Sequence, residues 1–91
     1  MSKNWRFETL AIHGGVSHDP ATLASSVPIS RTSGFVFKSV RHGADLFALK
    51  ESGYIYSRLS NPTVDALEQR ITLLEGGAAS VAVASGNSAV Y

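Results

Sequence analysis

The sequence predicts an α/β fold, and three features of its last third carry that prediction. The stretch from Pro62 to Glu75 has helical spacing, Ala79 to Ala84 reads as a buried strand, and Ser85-Gly86-Asn87 reads as a turn opening a second helix.

The first helix is announced by Asn61-Pro62-Thr63. Asn61 is a capping residue, and a proline at the first helical position loses nothing through its missing N–H. Val64, Leu67, Ile71 and Leu74 then recur at helical intervals and form one apolar face, with Asp65, Glu68, Gln69 and Arg70 largely elsewhere. Gly76-Gly77 stops the helix. The run Ala79-Ser80-Val81-Ala82-Val83-Ala84 follows, small and β-branched between glycines, as expected for a parallel strand buried on both faces. One strand is not a sheet, and its edges need partners. The chain is therefore expected to be an incomplete piece of a larger α/β protein.

Residues 1–60 read differently. They show little periodic hydrophobicity and many punctuators, among them Gly14-Gly15, Asp19-Pro20, Pro28, Gly34, Gly43 and Gly53. The segment reads as an arm, interrupted by a strand-like Gly34 to Phe37 and by a helical turn or two near His42 to Lys50. A mostly irregular stretch of this length is unusual in a compact domain, and one that wraps on a partner explains it.

Composition narrows the function. With 44% hydrophobic and 16% charged residues the 91-residue chain is an ordinary globular sequence. A net charge of +1 with scattered Lys and Arg gives no footprint for nucleic acid or an anionic membrane. No run approaches the roughly 18 apolar residues of a membrane span, and no signal core follows Met1. The absence of cysteine excludes disulfides and thiolate metal sites. The cytoplasm is the default location.

Two constellations are candidates for chemistry. If Gly53 to Arg58 is extended, Tyr54, Tyr56 and Arg58 project to one side, placing phenols beside a guanidinium whose planar fork suits phosphate or carboxylate. An ordinary edge strand, with aromatic residues on the core and an exposed Arg, explains the same pattern. The second constellation is Ser85-Gly86-Asn87, at the carboxyl end of the expected strand. Free backbone N–H groups at a helix start hold anions there, and glycine permits close approach. A tight strand-to-helix turn that needs glycine for its geometry is the competing account. The phosphate-loop, dinucleotide and nucleophile-elbow motifs are all absent.

The remaining polar residues match less. His13, His18 and Asp19 fit no metal-ligand spacing and are expected to make turns. His42 is expected at the surface without a catalytic partner, and Glu51 and Glu75 have no evident pairing.

Tyr56-Ser57-Arg58-Leu59-Ser60-Asn61-Pro62-Thr63, Leu74-Glu75-Gly76-Gly77 and Ala84-Ser85-Gly86, in that order and spacing, resemble the Cys/Met-metabolism family of pyridoxal-phosphate (PLP) enzymes. Phe7 to Gly15 is similar to the family's N-terminus, and Leu46 to Glu51 is similar to its O-acetylhomoserine sulfhydrylase branch rather than its cystathionine enzymes. The resemblance implies the N-terminal arm and the start of the large domain of a fold-type I, aspartate aminotransferase-like PLP-dependent transferase. Residues 1–60 would be the arm, docking on a neighbouring subunit, and residues 61–91 the start of the PLP-binding α/β domain. The full protein would be a homo-oligomer, a dimer of dimers, acting on a small amino-acid substrate. Tyr56 and Arg58 would bind the neighbour's PLP phosphate, while Ser85 and the amides of Gly86 and Asn87 would hold that of their own subunit.

The chemistry implied is replacement of acetate by sulfide or thiol at the γ-carbon, giving homocysteine or methionine, with PLP as electron sink. A methionine γ-lyase or cystathionine γ-synthase or lyase is the alternative within the family. A binding or assembly module without cofactor is the alternative outside it. No catalytic residue is expected in these 91 residues, because Lys3, Lys38 and Lys50 lie in the arm, outside the family's lysine motif. Two positions depart from the family pattern: Asn87 stands where Met, Gln or His is usual, and Ser30-Arg31 where a Tyr-Gln-like pair is.

Overall fold

The computed structural model describes residues 4–91. The readings of Met1 to Lys3 as the opening of the arm concern positions outside the described residues. Four helices follow in order: α1 (Phe7–His13), α2 (Val40–Phe47), α3 (Pro62–Glu75) and α4 (Gly86–Val90). The chain divides into one unit of Ile29–Pro62 and another of Met1–Pro28 with Thr63–Tyr91.

Within Ile29–Pro62, α2 begins where Ser39 Oγ accepts the N–H of His42 at 3.0 Å, relieving one orphan donor of the first turn. His42 returns the favour, its Nδ1 accepting the N–H of Lys38 at 3.0 Å. Its Nε2 faces Glu51 Oε1 at 3.8 Å, so Glu51 has a counterpart that its sequence position did not announce. Leu46 is the core residue, 2% exposed, and lies so close to Gly53 that a Cβ there would meet Leu46 Cδ2 at 2.7 Å. The Phe37 ring covers Gly43 in the same way, and stacks edge-on to His42 and Phe47.

The strand expected at Gly34 to Phe37 is not formed. An isolated antiparallel bridge joins Gly34 to Tyr56, framed by Phe35 N–H to Ile55 O at 3.1 Å and Ser57 N–H to Ser33 O at 2.8 Å. Pairing stops there because the chain turns after Tyr56, whose carbonyl accepts from Leu59 and Ser60 at 2.9 and 3.1 Å. Asn61, only 6% exposed, ties this corner together: its Nδ2 donates to Ser30 O and to Ser57 Oγ, both at 3.0 Å. The side chain expected as a helix cap thus also donates, from a buried position, to Ser30 and Ser57.

In the other unit α1 is a short helix without a side-chain N-cap, closed by Gly14 N–H to Leu10 O at 2.8 Å. It was not foreshadowed by apolar spacing. Helix α3 occupies the expected span, with Pro62 at its first position. Its use of faces is the reverse of the sequence expectation. The apolar stripe stays largely uncovered, with Val64, Leu67 and Ile71 all exposed. The polar side makes the contacts. Arg70 Nε donates to Gly14 O at 3.2 Å, and Glu68 Oε2 accepts the N–H of Ala82 at 2.8 Å. Gly15, at φ +76°, brings the backbone so near α3 that a Cβ would sit 3.0 Å from Gln69 Cβ.

The segment Ala79 to Ala84 corrects a second expectation, since no β-strand is formed among the described residues. A strand exists through its ladder, and none of the described residues pairs with this one. Two α3 side chains hold it instead: Glu68 at Ala82, and Thr72, whose hydroxyl lies 2.6 Å from that of Ser80. The expected burial is also missing, with Val81 81% exposed.

Candidate functional site

The Tyr56 and Arg58 side chains come together, though not through the extended period predicted for them. The turn at Ser57 to Leu59 breaks the alternation, while Tyr54 packs its ring on Phe35 with centroids 5.4 Å apart. Arg58 folds back over its neighbour. Its guanidinium carbon lies 5.2 Å from the Tyr56 ring centroid, and Nη2 donates to Tyr56 Oη at 3.3 Å. The arrangement has a chemical consequence. The phenol oxygen accepts from the guanidinium, so its own O–H proton is left to donate outward. Both residues are exposed, and the remaining guanidinium N–H groups have no partner among the described residues. One face therefore offers several donors and no acceptor to an anion.

Ser57, between them, is fixed from both sides. Its N–H donates to Ser33 O, and its hydroxyl donates to Thr32 O while accepting from Asn61. The tyrosine and arginine are thus carried on a turn whose central residue is pinned by the buried Asn61. Sequence reasoning missed this support. An asparagine ahead of a proline was the available signal, and capping is only one of its uses.

Ser85, Gly86 and Asn87 form the second group, as expected at the start of α4. Ser85 is the N-cap, with Oγ accepting Ser88 N–H at 3.2 Å. The N–H groups of Gly86 and Asn87 have no acceptor among the described residues. Nothing lies within 4 Å of the position a Cβ of Gly86 would occupy. The space beside Gly86 is therefore open, and two adjacent free N–H groups suit a phosphate. Glu68 and Thr72 hold the approach at Ala82 and Ser80.

The weaker candidates resolve as structural features. Asp19 closes a turn, its Oδ2 accepting the N–H of Thr22 at 2.9 Å and the hydroxyl at 2.6 Å. The Thr22 hydroxyl and then its N–H hold the Asp19 carboxyl below its ordinary value of 3.8. No cluster of three or more His, Cys, Asp or Glu residues able to hold a metal exists among the described residues. Among the described residues no helix is long and apolar enough to cross a membrane. Lys38 and Lys50 are exposed.

A protein-family model described as Cys/Met metabolism PLP-dependent enzyme matches residues 8–91. An O-acetyl-L-homoserine sulfhydrylase of Thermus thermophilus is 57% identical over 94% of this chain and 20% of the relative, and that of Leptospira meyeri is 52% identical over 98% and 20%. The chain thus spans about a fifth of the length of these relatives. A crystal structure of an O-acetylhomoserine (thiol)-lyase of Campylobacter jejuni, containing a pyridoxyl-lysine phosphate, superposes with a TM-score of 0.86 at 46% identity, covering 94% of this chain and 21% of that one. A cystathionine γ-lyase of Lactobacillus plantarum superposes at 0.75 and 42%, covering 93% and 20%. Placed with those structures by its fold and with the family model over nearly its whole length, the chain belongs to the Cys/Met-metabolism family of PLP-dependent enzymes.

Proposed function

We propose that this chain is the N-terminal part of a PLP-dependent O-acetylhomoserine sulfhydrylase, and that Tyr56 and Arg58 bind the cofactor phosphate. The observation that carries the phosphate role is the guanidinium folded over the Tyr56 ring, with phenol and guanidinium donors on one exposed face. The relatives' names supply the reaction. Bound PLP would act as the electron sink for replacement of acetate by sulfide. The chain's own contribution is binding and orientation: Arg58 and Tyr56 neutralise and position a dianionic phosphate, and the free N–H groups of Gly86 and Asn87, on a turn capped by Ser85, offer a second set of donors to a phosphate. The lysine that carries PLP would lie in sequence beyond these residues.

The same reading makes the protein a cytoplasmic homo-oligomer, a dimer of dimers, in which the arm docks on a neighbouring subunit and Tyr56 and Arg58 serve that neighbour's cofactor. Exposed Val36, Val40, Phe47 and Leu49 supply apolar surface for such docking.

The test is PLP retention by the native protein, followed by equilibrium dialysis and by the absorbance of the bound cofactor. Arg58→Ala should weaken retention by about 1.5–3 kcal/mol, the range for losing a charged hydrogen bond. Retention unchanged by this substitution removes the phosphate role. A cystathionine γ-lyase is the second reading, favoured by the structural match to that enzyme. Homocysteine formed from O-acetylhomoserine and sulfide, with no cleavage of cystathionine, decides for the first.

A further inference from the structure

A cavity of about 430 Å³ lies between the end of α1, the chain from Val16 to Val27 and the middle of α3, sharing no residue with either phosphate group. Its size falls in the range of roughly 300–1,000 Å³ typical of small-molecule sites. The polar lining consists of Arg70, His13, His18, Ser17, Ser25 and Ser26, with no carboxylate among the lining residues. The nearby acid, Asp19, spends Oδ2 on Thr22. Ile12, Val16 and Val27 supply apolar lining to the same cavity.

Arg70 is half-buried and held in place. Its Nε donates to Gly14 O at 3.2 Å, which fixes the guanidinium plane and leaves the terminal N–H groups without a partner among the described residues. The hydroxyls of Ser17, Ser25 and Ser26 and the ring nitrogens of His18 also have no hydrogen-bond partner there. A partly desolvated guanidinium with free donors is best balanced by an anion that accepts from its fork. Hydroxyls and an imidazole N–H add donors in either protonation state of the histidine. The apolar residues then distinguish an organic anion from an inorganic one, since they would gain nothing from covering a phosphate ion.

We propose that this cavity binds a small carboxylate bearing a short apolar body. The carboxylate accepts from Arg70 and the serine hydroxyls, and the body rests on Ile12, Val16 and Val27.

The native, PLP-loaded protein is titrated with sodium 3-methylbutanoate and, in a separate arm, with sodium phosphate. Isothermal titration gives the affinity, and the imidazole signals of His18 report whether this cavity is the site. The expected result is saturable carboxylate binding that shifts the His18 signals and is at least tenfold tighter than phosphate binding. Arg70→Met weakens it tenfold or more, as loss of a charged hydrogen-bonded pair does. That variant also loses the bond to Gly14, so Ser25→Ala with Ser26→Ala tests the cavity without disturbing it, and a severalfold loss is expected. No saturable carboxylate binding, affinity unchanged by both variants, or phosphate bound as tightly as the carboxylate overturns the proposal. Arg58→Ala should leave carboxylate affinity unchanged while lowering PLP retention, so either reading can fail without the other.

Discussion

Helices α2 and α3 solve the same problem in opposite ways. Helix α2 turns Leu46 inward against Gly53, with Phe37 over Gly43, and so closes a small core inside Ile29–Pro62. Helix α3 is longer and carries an apolar stripe of its own, yet leaves that stripe largely open and holds its surroundings through Glu68, Arg70 and Thr72. Apolar period reports which face is able to be buried. Burial itself needs something to pack on, and where that is missing, polar side chains supply the contacts.

The sharpest test of that contrast is Leu46→Ala against Leu67→Ala. Loss of the buried Leu46 should destabilise Ile29–Pro62 by about 2–5 kcal/mol, read as accelerated amide exchange in α2. In the 91-residue chain the half-exposed Leu67 should cost under about 1 kcal/mol by the same measurement. An equal cost at the two positions would mean that the α3 stripe is covered and the contrast is void.

Asn61→Ala comes next. It strips Ser30 O and Ser57 Oγ of a donor at a buried position, with an expected cost of about 1–3 kcal/mol. Because Ser57 sits between Tyr56 and Arg58, PLP retention by the native protein should fall along with stability. A loss of stability with retention intact would separate the buried asparagine from the phosphate face.

The helix ends differ as well. Both close with paired backbone bonds of the Schellman type: Leu49 N–H to Leu46 O at 3.2 Å and Lys50 N–H to Asp45 O at 2.9 Å after α2, Gly76 N–H to Leu73 O at 3.3 Å and Gly77 N–H to Thr72 O at 2.9 Å after α3. The left-handed residue is Gly76 at φ +66° in one and Leu49 at φ +61° in the other. Gly76→Ala should cost about 1 kcal/mol, purely conformational because its Cβ would meet nothing within 4 Å. Leu49→Gly should gain up to about 1 kcal/mol in the 91-residue chain, where Leu49 is 89% exposed. If the native protein docks this segment on a neighbouring subunit, as proposed, and Leu49 is buried there, that gain should disappear, a difference that thermal unfolding of the two forms would show.

The smallest effect is the pH response of the Asp19 turn. Its carboxyl is held below 3.8, so the turn's contribution is complete above that pH and is lost as the pH falls through the lower folded value. The Thr22 amide resonance should therefore hold its position from neutral pH to about 4 and move only below it. Movement centred above 4 would show that the Thr22 bonds do not favour the carboxylate.

Much of the candidate site was legible in the residues. Tyr56 with Arg58, and Ser85-Gly86-Asn87 as a turn opening a helix, follow from residue chemistry and from local signals that act over a few positions. The same is true of α3, whose proline start, periodicity and Gly76-Gly77 stop are all local. What was not legible depends on distant partners. The strand expected at Ala79 to Ala84 has no ladder among these residues, and Gly34 to Phe37 pairs only at Gly34.

By itself, then, the sequence determined the span and termini of α3, the chemistry of the two donor groups and, through its motifs, membership of the family. Tertiary structure alone decided that Arg58 folds over Tyr56 across a turn, that Asn61 donates to Ser30, and that the polar side of α3 carries Arg70 to Gly14 and Glu68 to Ala82. The physical reason is range. Caps, breakers and periodicity are energies between residues a few positions apart, whereas burial, ladders and buried donors depend on which remote atoms arrive to meet them.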